Sequence, residues 1–109
     1  MITVTVFRSD GHVDSLFIEG HSDYAEEGED IVCAGVSTLI QSALLGLLKV
    51  VGINVKYTTD EEQGSLRFTL PQNLTPQERH DADVVLNTML CGLDDFYTEY
   101  SDYINLEVI

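Results

Sequence analysis

The sequence predicts an α+β fold, a two-layer sandwich in which two long helices cover one face of a mostly antiparallel sheet, in the order ββαββαβ. Three observations lead there. Short runs at the start, middle and end of the chain alternate apolar with polar residues, the period of a half-buried strand. Two longer runs, opening near Ile31 and at Thr75, carry apolar residues at helical spacing. The chain is 109 residues long, the size of one domain around one core, so residues 1–109 read as a single domain.

At the N-terminus Ile2, Val4 and Val6 point one way and Thr3, Thr5 and Phe7 the other. Ser9-Asp10-Gly11 supplies turn chemistry, and residues 13–19 alternate again through Leu16 and Ile18, which makes a hairpin. Residues 20–30 lose all periodicity and read as a loop, with two glycines and Glu26, Glu27, Glu29 and Asp30. Asp30 is placed as the N-cap of the first helix, its carboxylate accepting from backbone N–H groups that lack a helical partner. That helix carries Val32, Val36, Leu39, Ile40, Ala43, Leu44, Leu47, Leu48 and Val51 nearly all the way round. Such a helix is buried on more than one side, within the fold or by a second copy. Gly52 is placed to stop it.

This stretch is apolar enough to raise the question of a membrane span. Ser37, Thr38, Gln41, Ser42 and Lys49 interrupt it and no basic flank orients it, so it reads as a core helix. Residues 53–59 and 65–70 alternate about a turn at 60–64, a second hairpin. Thr75-Pro76-Gln77-Glu78 is a capping box with proline at the first helical position. The helix it opens sets Ala82, Val85, Leu86, Met89, Leu90, Leu93, Phe96, Tyr97 and Tyr100 on one stripe, and residues 104–109 alternate as a last strand.

Five Lys+Arg stand against 19 Asp+Glu, a net charge of −14 on a chain that is 44% hydrophobic. Direct nucleic-acid binding is excluded, because phosphate contacts need clustered cations and these five are scattered. Anionic membrane surfaces are disfavoured for the same reason. The charge suits a basic partner, attracted across a Debye length of about 8 Å at physiological salt, or it serves solubility alone. Two cysteines, Cys33 and Cys91, are too few for a disulfide scaffold, and no secretory segment precedes the first strand. The expected compartment is therefore the reducing cytosol, with both thiols free.

No metal or other cofactor is expected. His12, His21, Cys33, His80 and Cys91 form no close ligand pair of the zinc type, and no run of carboxylates has calcium-loop spacing. His12 and His80 read as solvated surface residues. Cys91, off the main stripe of the second helix, reads as a structural thiol, and Asp94, Asp95, Glu99 and Asp102 as a solvated face.

The chemistry concentrates between Gly20 and Ala34. A strand runs into Gly20-His21, a loop follows, and Cys33 appears in the first turn of an apolar helix. Amide groups and the dipole at a helix start favour thiolate over thiol, and the thiolate is the nucleophile. An imidazole can take the thiol proton and return it to a leaving amine, and first-turn N–H groups can hold an oxyanion. Glu26, Glu27, Glu29 and Asp30 oppose a thiolate, so catalysis requires His21 beside Cys33 as a protonated partner. The plain alternative is a small buried thiol and a solvated histidine.

The segment Gly20-His21, Ala25, Gly28, Asp30-Ile31-Val32-Cys33-Ala34, Val36-Ser37 resembles the signature of the bacterial ribosomal-processing cysteine proteases, the Prp family. That pattern is Gly-His, a short loop with Ala and Gly, then Asp-Ile-Val-Cys-Ala-Ala-Val-Ser. The chain departs from it at Gly35, where many members have Ala; a small residue is kept, with some loosening of the helix expected. The resemblance extends to length, acidity and element order.

It implies a cytoplasmic, homodimeric cysteine endopeptidase without cofactors. Its implied substrate is a basic ribosomal protein precursor, the N-terminally extended large-subunit ribosomal protein twenty-seven. By motif position Cys33 is the nucleophile and His21 the general base and acid, while Gly20 and Gly28 let the loop open and close around the peptide. Asp30 serves as a helix cap or as an orienter of His21. Ser37, one turn after Cys33 on the same helix face, donates to the thiolate or substrate, or packs.

Two rivals remain at the level of the sequence. One is a non-enzymatic acidic module that docks a basic ribosomal protein or assembly factor; the other is a thiol redox sensor at Cys33. Neither needs the paired Gly-His and Asp-Ile-Val-Cys.

Overall fold

The computed structural model describes residues 1–20, 27–60, 62 and 64–109, with the backbone alone at 27–30. The elements come in the expected order: β1 (Ile2–Ser9), β2 (His12–Glu19), α1 (Glu27–Leu45), β3 (Lys56–Asp60), β4 (Ser65–Thr69), α2 (Pro76–Glu99) and β5 (Ile104–Val108). A π-helical turn, Gly46–Val51, prolongs α1. The strands form one sheet in the order β3-β4-β2-β1-β5. All neighbours are antiparallel except β1 and β5, which run parallel because β5 rejoins the sheet after crossing over through α2.

Strand alternation decides which face meets the helices. Ile2, Val4 and Val6 of β1, Leu16 and Ile18 of β2 and Leu66 and Phe68 of β4 are buried, while their neighbours in sequence are not. From the other layer α1 contributes Val32, Val36, Ile40, Ala43 and Leu44, and α2 contributes Ala82, Leu86, Met89 and Leu93. Each full burial of such a side chain is worth about 1.5–3 kcal/mol. Ile31–Val51 has the length and apolarity of a membrane span; in this fold its buried side chains belong to the same core as the sheet and α2.

Local chemistry sets the ends of the elements as expected. Asp10 and Gly11 both take positive φ, 53° and 80°, and Ser9 pairs with His12 across them. A two-residue turn of that hand matches the strand twist, which is why Asp-Gly stands there. Gly52 closes the π-helical turn in the left-handed conformation, its N–H and that of Ile53 donating to the Leu47 carbonyl at 3.0 and 3.1 Å. At α2, the Thr75 N–H donates to Glu78 Oε1 at 2.9 Å and the Glu78 N–H donates to Thr75 Oγ1 at 3.1 Å. Such a cap contributes about 1 kcal/mol.

The structure departs from expectation at several places. Helix α1 starts at Glu27, so Asp30 lies inside it and is not the N-cap. The residues at 27–30 are polar and show no apolar period, yet three of the four are acidic and suit the positive end of a helix dipole. Strand β3 begins at Lys56, because β4 ends at its partner Thr69 and nothing remains for 53–55 to pair with. Ile53 and Val55 are buried even so, in a tight turn in which the Val55 N–H donates to the Ile53 carbonyl at 3.1 Å.

His12 is not a free surface residue. Its Nδ1 lies 2.7 Å from Asp83 Oδ2, while Arg79, on the same helix as Asp83, donates from Nη2 to the Val13 carbonyl at 2.9 Å. Together these side chains clasp α2 to the first hairpin. His80 is exposed as expected and lies 3.3 Å from Asp81. Cys91 is exposed, so it has no structural role in the core.

Gly20 closes β2 where the backbone of β1 passes against it. A Cβ at this position would lie 2.7 Å from Ile2 Cα and 3.1 Å from the Met1 carbonyl oxygen. Main chain occupies that space, so glycine is required for close approach and not for freedom in a loop. Gly20→Ala is expected to destabilise the protein by about 1–3 kcal/mol through overpacking, measured by urea unfolding. An unchanged midpoint would refute the close approach.

Candidate active site

Cys33 is half-buried on α1 and lines a cleft of about 550 Å³. One wall is α1 itself. Cys33, Ser37 and Gln41 follow at four-residue intervals on a single face, and Leu44, Leu45 and Leu48 continue that wall. The end of β2 contributes Ile18 and Gly20. Opposite stand Tyr57, Thr59 and Asp60 of β3 with Ser65 and Leu66 of β4.

The sheet edge explains why the cleft is open. Tyr57 and Thr59 pair with Phe68 and Leu66, both buried under the helices, so all four point to the helix side. Every residue of β3 is nevertheless exposed, because the edge strand lies beyond the helix layer. The cleft is that uncovered strip between α1 and β3. It is polar beside the thiol, through Ser37 and Gln41, and apolar at the far end, through Leu45, Leu48 and Tyr57. Asp60 is the one charged side chain among the described lining residues.

The structure brings together three of the six residues singled out from sequence: Gly20, Cys33 and Ser37 share the cleft. His21 lies outside the described residues; Gly20, its neighbour in the chain, is on the cleft wall. Asp30 and Gly28 are described by backbone only, and both lie in α1 ahead of Cys33. Gly28 is therefore part of the helix and not of the connection that precedes it.

The earlier start of α1 also moves Cys33 from the first helical turn to the second. There a backbone amide bonds the carbonyl four residues before it, so the Cys33 amide is taken up within the helix. An oxyanion hole built from first-turn amides next to Cys33 is thus not what this helix offers. The dipole contribution, strongest within the first turn, is reduced as well. Among the described residues no group of three His, Cys, Asp or Glu side chains is placed to hold a metal ion.

Gln41, Leu48, Tyr57 and Thr59 were not singled out from the sequence as site residues. A signal existed for Gln41, eight residues after Cys33 on the same helical face. None existed for Tyr57 or Thr59, whose place depends on β3 standing at the sheet edge next to α1.

The family model for the cysteine protease Prp matches residues 1–105. The ribosomal processing cysteine protease Prp of Bacillus subtilis (strain 168) is 32% identical over 109 residues, which cover 99% of this chain and 96% of that protein. A crystal structure of the essential ribosomal processing protease Prp from S. aureus in complex with a substrate peptide superposes with a TM-score of 0.87 at 27% identity, covering 100% of both chains. A second, with a covalently linked product peptide, gives 0.84 at 28% identity over 100% of both. With a match in sequence and fold over essentially its whole length, and a half-buried cysteine on the wall of an open cleft, this chain belongs to the Prp family of cysteine proteases.

Proposed function

We propose that this protease removes the N-terminal extension of large-subunit ribosomal protein twenty-seven during ribosome assembly in the cytoplasm, with Cys33 and His21 as its dyad. The observation that carries the reading is the position of Cys33 in a peptide-sized cleft, which Cys91 does not line. From Cys33 to Leu48 the wall follows fifteen residues of helix, about 22 Å at 1.5 Å per residue. That length takes about six or seven residues of extended chain.

In the mechanism we assign, the Cys33 thiolate attacks the scissile carbonyl carbon and forms a C–S bond, while the carbonyl electrons move to oxygen. Collapse of the tetrahedral species breaks the C–N bond, and protonated His21 gives its proton to the leaving amine. Water then attacks the thioester, His21 takes the water proton, and the C–S bond breaks to release the acid and restore the thiolate–imidazolium pair. Ser37, one turn beyond Cys33 on the cleft wall, serves as a hydrogen-bond donor to the thiolate or the substrate. In this reading His21 supplies the counter-charge of the thiolate.

Ribosomal proteins are basic, and a chain of net charge −14 attracts them. The protease acts as a homodimer in this reading: Ile31 of α1 and Val50 of the π-helical turn that prolongs it are 65% and 82% exposed, which leaves large apolar side chains for a second copy. Sedimentation equilibrium at micromolar concentration is expected to return twice the chain mass; a monomer removes this assignment.

A peptide spanning the precursor extension tests the reaction. Cys33→Ala abolishes cleavage and His21→Ala lowers kcat by about 10²–10⁴, both with unchanged circular dichroism. Cleavage at the normal rate by Cys33→Ala would refute the assignment. Raising salt from about 50 to about 500 mM is expected to increase KM for the full basic precursor several-fold and leave kcat within about twofold, because screening acts on encounter. A KM that ignores salt would return the charge to solubility alone.

A further inference from the structure

We infer that Phe96 of α2 is a positioning residue for Cys33, acting through the backbone of α1 at Gly35. The inference rests on Cys33 being the nucleophile. The two helices cross through a pair of reciprocal notches. At the first, the tip of the Phe96 ring occupies the space a side chain at Gly35 would need: an ideal Cβ there would lie 2.6 Å from Cζ and 2.9 Å from Cε1. At the second, Leu39 of α1 fills the place of a side chain on Gly92 of α2, with Cδ2 2.7 Å from an ideal Cβ. Gly35 and Leu39 are four residues apart, as are Gly92 and Phe96, so the contacts form an antiparallel lock with one knob and one notch on each helix.

What this lock controls follows from its place on α1. Gly35 lies between Cys33 and Ser37, two of the residues that α1 contributes at the polar end of the cleft. At a glycine the ring meets the main chain directly, so the contact registers the position of the helix backbone and cannot be relieved by a rotamer change on α1. Val32 and Val36, on either side of Gly35 in sequence, are fully buried in the core; in this inference the ring fixes where α1 sits along and about its own axis. Tyr100 lies beside Phe96, ring centroids 6.0 Å apart and planes tilted by 35°. Phe96 itself is only partly buried and does not line the cleft. Its influence on catalysis is therefore through geometry and not through substrate contact.

The test uses Gly35→Ala, Phe96→Leu and the double variant, with kcat and KM measured on the extension peptide and the folded fraction checked by thermal melts. Gly35→Ala places a methyl against the ring, and Phe96→Leu removes the ring tip and leaves the notch empty. Each single change is expected to lower kcat about tenfold with KM within about twofold, since small misplacement of a reacting group is costly. The double variant, in which the shorter side chain makes room for the new methyl, is expected to recover to within about threefold of wild type. A purely structural role predicts losses that follow the unfolded fraction and add in the double variant, and that result overturns the inference. If Gly35→Ala does not fold, Phe96→Leu decides alone: a kcat within twofold of wild type overturns the inference.

A second readout needs no substrate. The rate of Cys33 alkylation by iodoacetamide, followed by peptide mass mapping with glutathione as the reference thiol, is expected to change at least threefold in each single variant and to return in the double. Unchanged alkylation in all three overturns the inference. Should wild-type protein leave the extension peptide uncut, the proposed substrate fails while the alkylation series still decides the role of Phe96.

Discussion

Burial of Val32, Val36, Ile40, Ala43 and Leu44 in the core shared with the sheet and α2 is the interaction on which the rest of the molecule depends. It fixes α1 as the central core helix, and the adjacent face of the same helix then has to point at the uncovered strip beside β3. Cys33, Ser37 and Gln41 lie on that face. In the proposed mechanism the nucleophile is thus carried by a helix packed into the core, which is how a site gains orientation from packing. An edge strand left without a helix above it completes the arrangement, since a fully covered sheet would have no cleft.

Close approach of main chain to its neighbours recurs around this helix. Gly20 lets the end of β2 pass the start of β1, and Gly35 and Gly92 let α1 and α2 interlock. In each case a methyl group would meet atoms at less than contact distance, and at Gly20 those atoms include backbone that cannot step aside. The glycines are therefore read better as points of contact than as points of flexibility. The clasp of His12 and Arg79 on α2 works to the same end from the far side of the fold, holding the second helix to the first hairpin.

Element type and order were legible because each element has a period or a terminal signal of its own. The Asp10-Gly11 turn, the Gly52 stop and the Thr75 capping box all do in the structure what their chemistry demands. The start of α1 was not legible, because acidic residues at a helix N-terminus carry no apolar period and look like loop. That error reached the site: with four more residues ahead of it, Cys33 loses the first-turn amides that its apparent position promised. His12 and Cys91 were misplaced for a related reason, since pairing with Asp83 and exposure on α2 are facts of the other layer.

The sequence by itself determined the fold class and the strand faces, because periodicity and turn chemistry are local properties. Strand order, the position of β3 at the edge, the far wall of the cleft and the interlock at Gly35 were decided by tertiary structure alone. Those features join residues distant along the chain, and no local preference of Tyr57 or Phe96 states which helix each will face. The physical reason is that a side chain's period fixes the face it presents, whereas the neighbour it meets is chosen by how the layers pack.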